Sequence, residues 1–175
     1  CAQQTELTGL RRPIEAVWYT GRIMGETLAQ TICGNKTAYK PGHWFNSAKF
    51  FEVEYQTYGW VNTDKRKQEH EQHFHWQHPH EPIAITAAYH KETNQLLGVN
   101  VFGIRLRHAV LDSWLSQHKS LDYCLAHWAD ALFDPEFSNS HQKDLLNHYN
   151  TVFQKALKPV KKSWTRIFNP FSTKK

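Results

Sequence analysis

The chain has 175 residues, 40% hydrophobic and 14% aromatic, with a formal net charge of +5. This composition excludes a disordered or low-complexity chain and leaves room for one solid core beside part of another. No apolar run approaches the roughly 20 residues of a spanning helix and no signal peptide is visible, so the sequence reads as soluble and cytoplasmic.

The chain opens on Cys1-Ala2-Gln3-Gln4 without an initiator methionine, which reads as the continuation of a domain that began earlier. A helix is expected from Pro13, which suits a first helical position because its missing N–H would have had no partner there, to Gly34, which suits a left-handed end. Ile14, Val17, Gly21, Met24, Leu28 and Ile32 recur at steps of three and four and predict one buried face. Gly21 and Gly25 would let another backbone or a flat cofactor approach, while Arg22 and Glu26 exclude a membrane helix.

Residues 35–42, with the Pro41-Gly42 turn, form a seam, and beyond it the period changes to two. Phe51, Val53, Tyr55 and Thr57 alternate with Glu52, Glu54 and Gln56, predicting a strand whose dry face carries the first set. Residues 62–72 read as a charged loop and 73–77 as a short strand, with Phe74 and Trp76 on one side and His73 and His75 on the other. Residues 83–89 and 96–102 predict a hairpin around a polar connection.

The last third reads as helical, with one stripe at Leu106, Val110, Leu111, Trp114 and Leu115 and a second at Leu121, Leu125, Trp128 and Leu132. A third stripe follows at Leu145, Tyr149, Val152, Phe153 and Leu157. The fold class is therefore α+β, an antiparallel sheet of four to five strands followed by packed helices. Three parts are expected: 1–36, left from a preceding domain; 37–158, a complete domain; and 159–175, a basic, partly disordered tail.

Seven basic residues and no acid follow Asp144, so the remainder is near neutral, and a basic tail on such a body is no general nucleic-acid footprint. Phe153, Leu157, Val160, Trp164 and Phe168 recur at helical spacing opposite Lys155, Lys158, Lys162 and Arg166. That pattern describes an amphipathic helix for a membrane surface or an acidic partner, interrupted by Pro159.

Cys1, Cys33 and Cys124 form no metal or redox spacing, and two of them sit among apolar residues as small buried hydrophobes. His73 and His75 share a strand face that could bind Zn²⁺ or Cu²⁺ with His78 or His80, but a solvated polar face explains the pattern equally and no metal site is assigned. His78-Pro79-His80-Glu81 is similar to the His-Pro plus Glu element of glutathione-reductase-type enzymes, but its spacing is too short and no catalytic residue is assigned.

The segment Pro13-Ile14-Glu15-Ala16-Val17-Trp18, continuing through Gly25 to Gly34, resembles the end of the FAD-binding domain in the two-dinucleotide-binding-domain flavoproteins. The closer likeness is to ferredoxin and rubredoxin reductases and apoptosis-inducing factor. Cys1-Ala2 looks like the residues after the Gly-Asp pair of that domain, and Pro41-Gly42-His43-Trp44-Phe45-Asn46-Ser47 resembles the Pro-x-x-Trp-Ser opening of their C-terminal interface domain.

The resemblance implies the C-terminal segment of an FAD-dependent oxidoreductase that passes electrons from NAD(P)H to an unidentified acceptor. It implies cofactor contacts at Ala2, Glu15, Ala16, Val17 and Trp18. The isolated chain would be inactive, because the Gly-rich FAD and NAD(P) fingerprints lie outside it. Implied partners are the rest of the parent chain, a second copy, and an electron-acceptor protein. The alternative is a non-enzymatic interaction module, a sheet platform with aromatic residues and the basic tail.

Overall fold

A computed structural model describes residues 11–137 and 139–160. The first element, α1 (Trp18–Ile32), begins later than the Pro13 start expected from sequence. Arg11 explains the delay: it pairs with both oxygens of Glu15 at 2.9 and 2.7 Å and donates to the Gly42 carbonyl at 2.9 Å. These bonds hold the preceding segment against the 41–42 turn, and Val17 is extended (φ −125°). The helix ends at Gly34 as expected: φ is +89°, and Gly34 and Asn35 donate to the Thr31 and Gln30 carbonyls at 3.1 and 2.9 Å. Two such bonds satisfy carbonyls the helix end would otherwise leave unpaired.

The expected buried face of this helix is not formed. Ile14, Leu28 and Ile32 are 51%, 59% and 75% exposed, and Thr20 is the buried member of α1. The helix is held instead by Tyr19, whose ring lies 4.7 Å from that of Phe45 and whose hydroxyl meets Ser47 at 3.0 Å.

Five strands follow: β1 (Phe45–Phe50), β2 (Val53–Gly59), β3 (Glu71–Gln77), β4 (Ala84–His90) and β5 (Leu96–Phe102). They form one sheet in the order β1-β2-β5-β4-β3, with every neighbouring pair antiparallel. The strand at Phe45–Phe50 was not expected from sequence.

The dry face expected of β2 is inverted, because Gln56 and Tyr58 are buried whereas Tyr55 and Thr57 are only half-buried. Phe51, expected at the head of that face, is 96% exposed at the hairpin tip with φ +51°. Gln56 tolerates burial because its Oε1 accepts the Leu106 N–H at 2.6 Å. The alternation in β3 is as read, Phe74 and Trp76 inward and His75 outward.

The helices are α2 (His108–Ser116), α3 (Leu121–Ala126), α4 (Trp128–Ala131) and α5 (Gln142–Phe153). Ser120 caps α3 by accepting the Tyr123 N–H at 3.2 Å. The core lies between these helices and one sheet face, with Ile85, Val101, Leu111, Leu145 and Tyr149 wholly inaccessible. The opposite face presents Thr57, Thr86, Asn100 and His75.

The amphipathic helix expected to run from Phe153 through Phe168 is broken, because α5 stops at Phe153 and Gln154 is left-handed at φ +52°. The chain turns back: Asn150 bonds both the N–H and the carbonyl of Leu157, and Val160 donates to the Ala126 carbonyl at 2.8 Å. Trp164 and Phe168 lie outside the described residues. Cys124 is buried as expected, whereas Cys33, at the end of α1, is exposed. Among the described residues no helix is long and apolar enough to cross a membrane.

Candidate functional site

A cleft of about 740 Å³ opens at the sheet end where β2 finishes and β5 begins. One wall is the extended segment before α1, contributing Arg12, Glu15, Ala16 and Val17. The floor is Thr57 and Asn100, neighbours on paired strands joined by a hydrogen bond of 2.6 Å. The other wall is Trp44, Trp60 and the loop after it, including Asn62, Thr63 and Arg66.

The tryptophans are placed by backbone. Gly59 takes φ +62° at the end of β2 and donates to the Trp44 carbonyl at 2.7 Å; Trp60 then donates to the Leu97 carbonyl at 3.0 Å. Trp44 and Trp60 stack, centroids 5.8 Å apart and planes inclined by 14°. The close approach needs Gly98, because a Cβ there would lie 2.4 to 2.6 Å from the Trp60 backbone.

The loop wall is held by Glu71, which is 2% exposed. Its Oε1 accepts the Asn62 N–H at 3.0 Å and meets His73 Nε2 at 2.6 Å. Its Oε2 accepts from Asn62 Nδ2 at 2.7 Å and from the Gln68 N–H at 3.4 Å. Burial alone would raise this carboxyl's pKa, but the hydrogen bonds from Asn62, His73 and Gln68 outweigh it and hold the value below the usual carboxylate range.

On the opposite wall the Glu15 carboxylate is occupied by Arg11, the two side chains being 2% and 7% exposed. Glu15 and Arg11 thus neutralise each other, leaving Arg12 and Arg66 as the cations of the lining. Among the described residues no side chain caps α1, whose N-terminus follows Val17. The cleft therefore combines a flat aromatic pair and two guanidiniums, a set suited to a planar ring system with anionic character.

Of the residues singled out in the sequence, Glu15, Ala16 and Val17 come together in this lining. Trp18 is not part of it; it is 69% exposed, with the Arg22 guanidinium 5.8 Å over its ring. Ala2 lies outside the described residues. Trp60, Arg66, Gly98 and Glu71 were not singled out; the available signals were a glycine inside an apolar strand and a carboxylate opening one.

The histidines are committed elsewhere. His75 Nδ1 meets Thr86 Oγ1 at 2.9 Å, and His78 Nδ1 accepts the Glu81 N–H at 2.9 Å in the β3–β4 turn. Among the described residues no group of three or more His, Cys, Asp or Glu is arranged to hold a metal ion. A second cleft of about 400 Å³ lies between Tyr19 and Arg22 of α1 and Tyr58, His108 and Phe133. His108 is pulled below the usual histidine pKa by burial and by His43, against the opposing pull of Asp112.

No protein-family model matches this sequence, and no curated protein matches it.

Proposed function

We propose that this chain is the C-terminal segment of a cytoplasmic flavoprotein oxidoreductase, passing electrons from NAD(P)H through FAD to an acceptor, with the sheet and helices forming its interface domain. The observation that carries the reading is the placing of residues Glu15 to Val17, just before α1, opposite the stacked Trp44–Trp60 pair across one cleft.

The lining fits a flavin ring in size and donor chemistry: about 740 Å³ is within the range of roughly 300–1,000 Å³ usual for small-molecule sites. The backbone of Glu15 to Val17 would face the pyrimidine end, where negative charge develops on reduction, and the tryptophans would supply a flat wall. Flavin supplies the electron-transfer chemistry; the protein binds it, orients it and tunes its environment. Arg12 and Arg66 favour negative charge in the site, and the Thr57–Asn100 floor offers further polar groups. The exposed Leu28 and Ile32 on α1 support a place for the rest of the parent chain on that helix.

The test is the absorbance spectrum of the full-length parent, purified without a His tag, followed by anaerobic titration with NADH and NADPH. A flavin spectrum that bleaches on reduction supports the reading and selects the nicotinamide. A colourless parent that cannot be reconstituted with FAD overturns it.

A second reading, a non-enzymatic interaction module, is favoured by the aromatic row at the other end of the sheet. Phe50 of β1 stacks on Tyr55 of β2 at 5.7 Å and Phe102 of β5 lies tilted against Tyr55 at 5.9 Å, beside the exposed Phe51. A colourless parent whose association is lost with Phe51→Ala would select this reading.

A further inference from the structure

We infer that Glu71 is the positioning residue of the cleft: its buried carboxylate gathers four donors from three residues and so fixes the loop that carries Asn62, Thr63 and Arg66 into the lining. The inference rests on the reading of the cleft as a ligand site.

The far end of the loop is also tied down at His70, whose carbonyl accepts the Lys91 N–H at 2.8 Å and whose ring stacks on His90, but neither contact reaches residues 62–68. Residues 63–66 and 68–70 are exposed. The other hydrogen bonds within the loop are local, such as Arg66 N–H to the Thr63 carbonyl at 2.8 Å and Gln68 Nε2 to the Arg66 carbonyl at 3.0 Å. Asn62, at the start of the loop, gives Glu71 both its backbone and its side-chain N–H, and Gln68, near the end, gives its backbone N–H. Both ends thus converge on one carboxylate that itself begins β3, and the sheet register is transmitted to Arg66.

The chemistry demands an ionised carboxylate. Each oxygen already faces two donors, so an amide at this position would turn its NH₂ towards N–H groups whichever way it rotated. His73 Nε2 adds a donor from the sheet side, tying the carboxylate to β3 as well as to the loop.

The test uses the full chain, trypsin and riboflavin. Lys65, Arg66 and Lys67 lie in the loop, so its opening is read directly as cleavage there, and binding is read by quenching of riboflavin fluorescence. Glu71→Gln is expected to speed loop cleavage and to weaken riboflavin binding, each by about tenfold, the order expected when a buried hydrogen-bonded charge is lost. Adding Asn62→Asp to Glu71→Gln repairs the side-chain contact alone and leaves the amide facing a backbone N–H, so it is expected to restore little of the protection, and full restoration would overturn the role of the backbone donors. Glu71→Asp, shorter by one methylene, should fall between and carries the test if the Gln variant does not fold.

Asp122→Asn, in the helical layer, controls for general loss of stability. Protection of the loop in Glu71→Gln equal to that of the unaltered chain, or equal opening in Asp122→Asn, overturns the positioning role. Loop opening in Glu71→Gln with no riboflavin bound by the unaltered chain leaves the positioning role standing and counts against the flavin reading.

Discussion

Tyr149 donates its hydroxyl hydrogen to Asp122 Oδ1 over 2.5 Å, and Lys155 Nζ reaches both oxygens of the same carboxylate at 2.7 and 2.8 Å. The phenol is pushed well above its ordinary range, by burial first and then by the adjacent carboxylate. Burial alone would raise the pKa of Asp122, but the bonds from Lys155, Tyr149 and Asn94 outweigh that effect and lower it below the ordinary 3.8.

Asp122→Asn is expected to cost about 2 kcal/mol at neutral pH, the usual scale for hydrogen bonds to a charged group. Because the native carboxylate is the stronger acid, its contribution is full above the unfolded pKa near 3.8 and is lost as the pH falls through the depressed native value. Urea denaturation of both proteins should show curves that separate at pH 7 and converge in acid. A gap that persists unchanged in acid would place the effect elsewhere.

Gly98→Ala should be destabilising by about 1–3 kcal/mol, the range for added volume where there is no space. The neighbouring atoms are backbone of Trp60, which cannot rotate away, so the indole must move from its stack with Trp44. A lowered urea midpoint together with shifted tryptophan emission is the expected result, and unchanged emission would show that the strand shifts instead.

Trp44→Ala removes one face of the cleft and is expected to weaken riboflavin binding about two- to tenfold, the worth of one aromatic pair. Phe51→Ala, at the opposite end of the sheet, should leave that titration unchanged. Equal effects from both substitutions would place the ring outside the cleft.

Cys124 and Cys33 should differ sharply towards iodoacetamide. The Cys124 thiol is 2% exposed and burial pushes its pKa up to about 12, so at pH 8 it holds almost no thiolate. Cys33 is exposed. Peptide mapping should find Cys33 alkylated in the folded protein and Cys124 only in urea.

The strand at Leu96–Phe102 was legible as an apolar run beyond a short polar connection, and the outward histidine of β3 as part of a clean period of two. Strand β1 was not, since four of its six residues are half-buried and neither face is cleanly apolar. Phe51 misled because the apolar spacing of β2 continues through it, whereas its backbone turns left-handed into a hairpin tip. Gln56 and Glu71 break the pattern in the other direction. Gln56 is buried because the N–H of Leu106, distant in sequence, needed an acceptor, and Glu71 because the loop just before it folds back its Asn62 and Gln68 N–H groups; neither need is visible before the chain is folded. The candidate site was half-legible for the same reason: Glu15, Ala16 and Val17 form a local motif, but their opposite wall depends on register.

The order in which the strands pair carries a kinetic consequence. Strands β3, β4 and β5 form a meander of near neighbours, and β1 with β2 makes a separate hairpin, so each half closes short loops. The join between β2 and β5 brings together Thr57 and Asn100, 43 residues apart, and bears the larger loop-closure entropy. Those two residues are the floor of the cleft. The pocket is therefore expected to appear only as the two halves close on each other, and exchange protection of the Trp60 N–H, which crosses the join to the Leu97 carbonyl, should report that final step of folding.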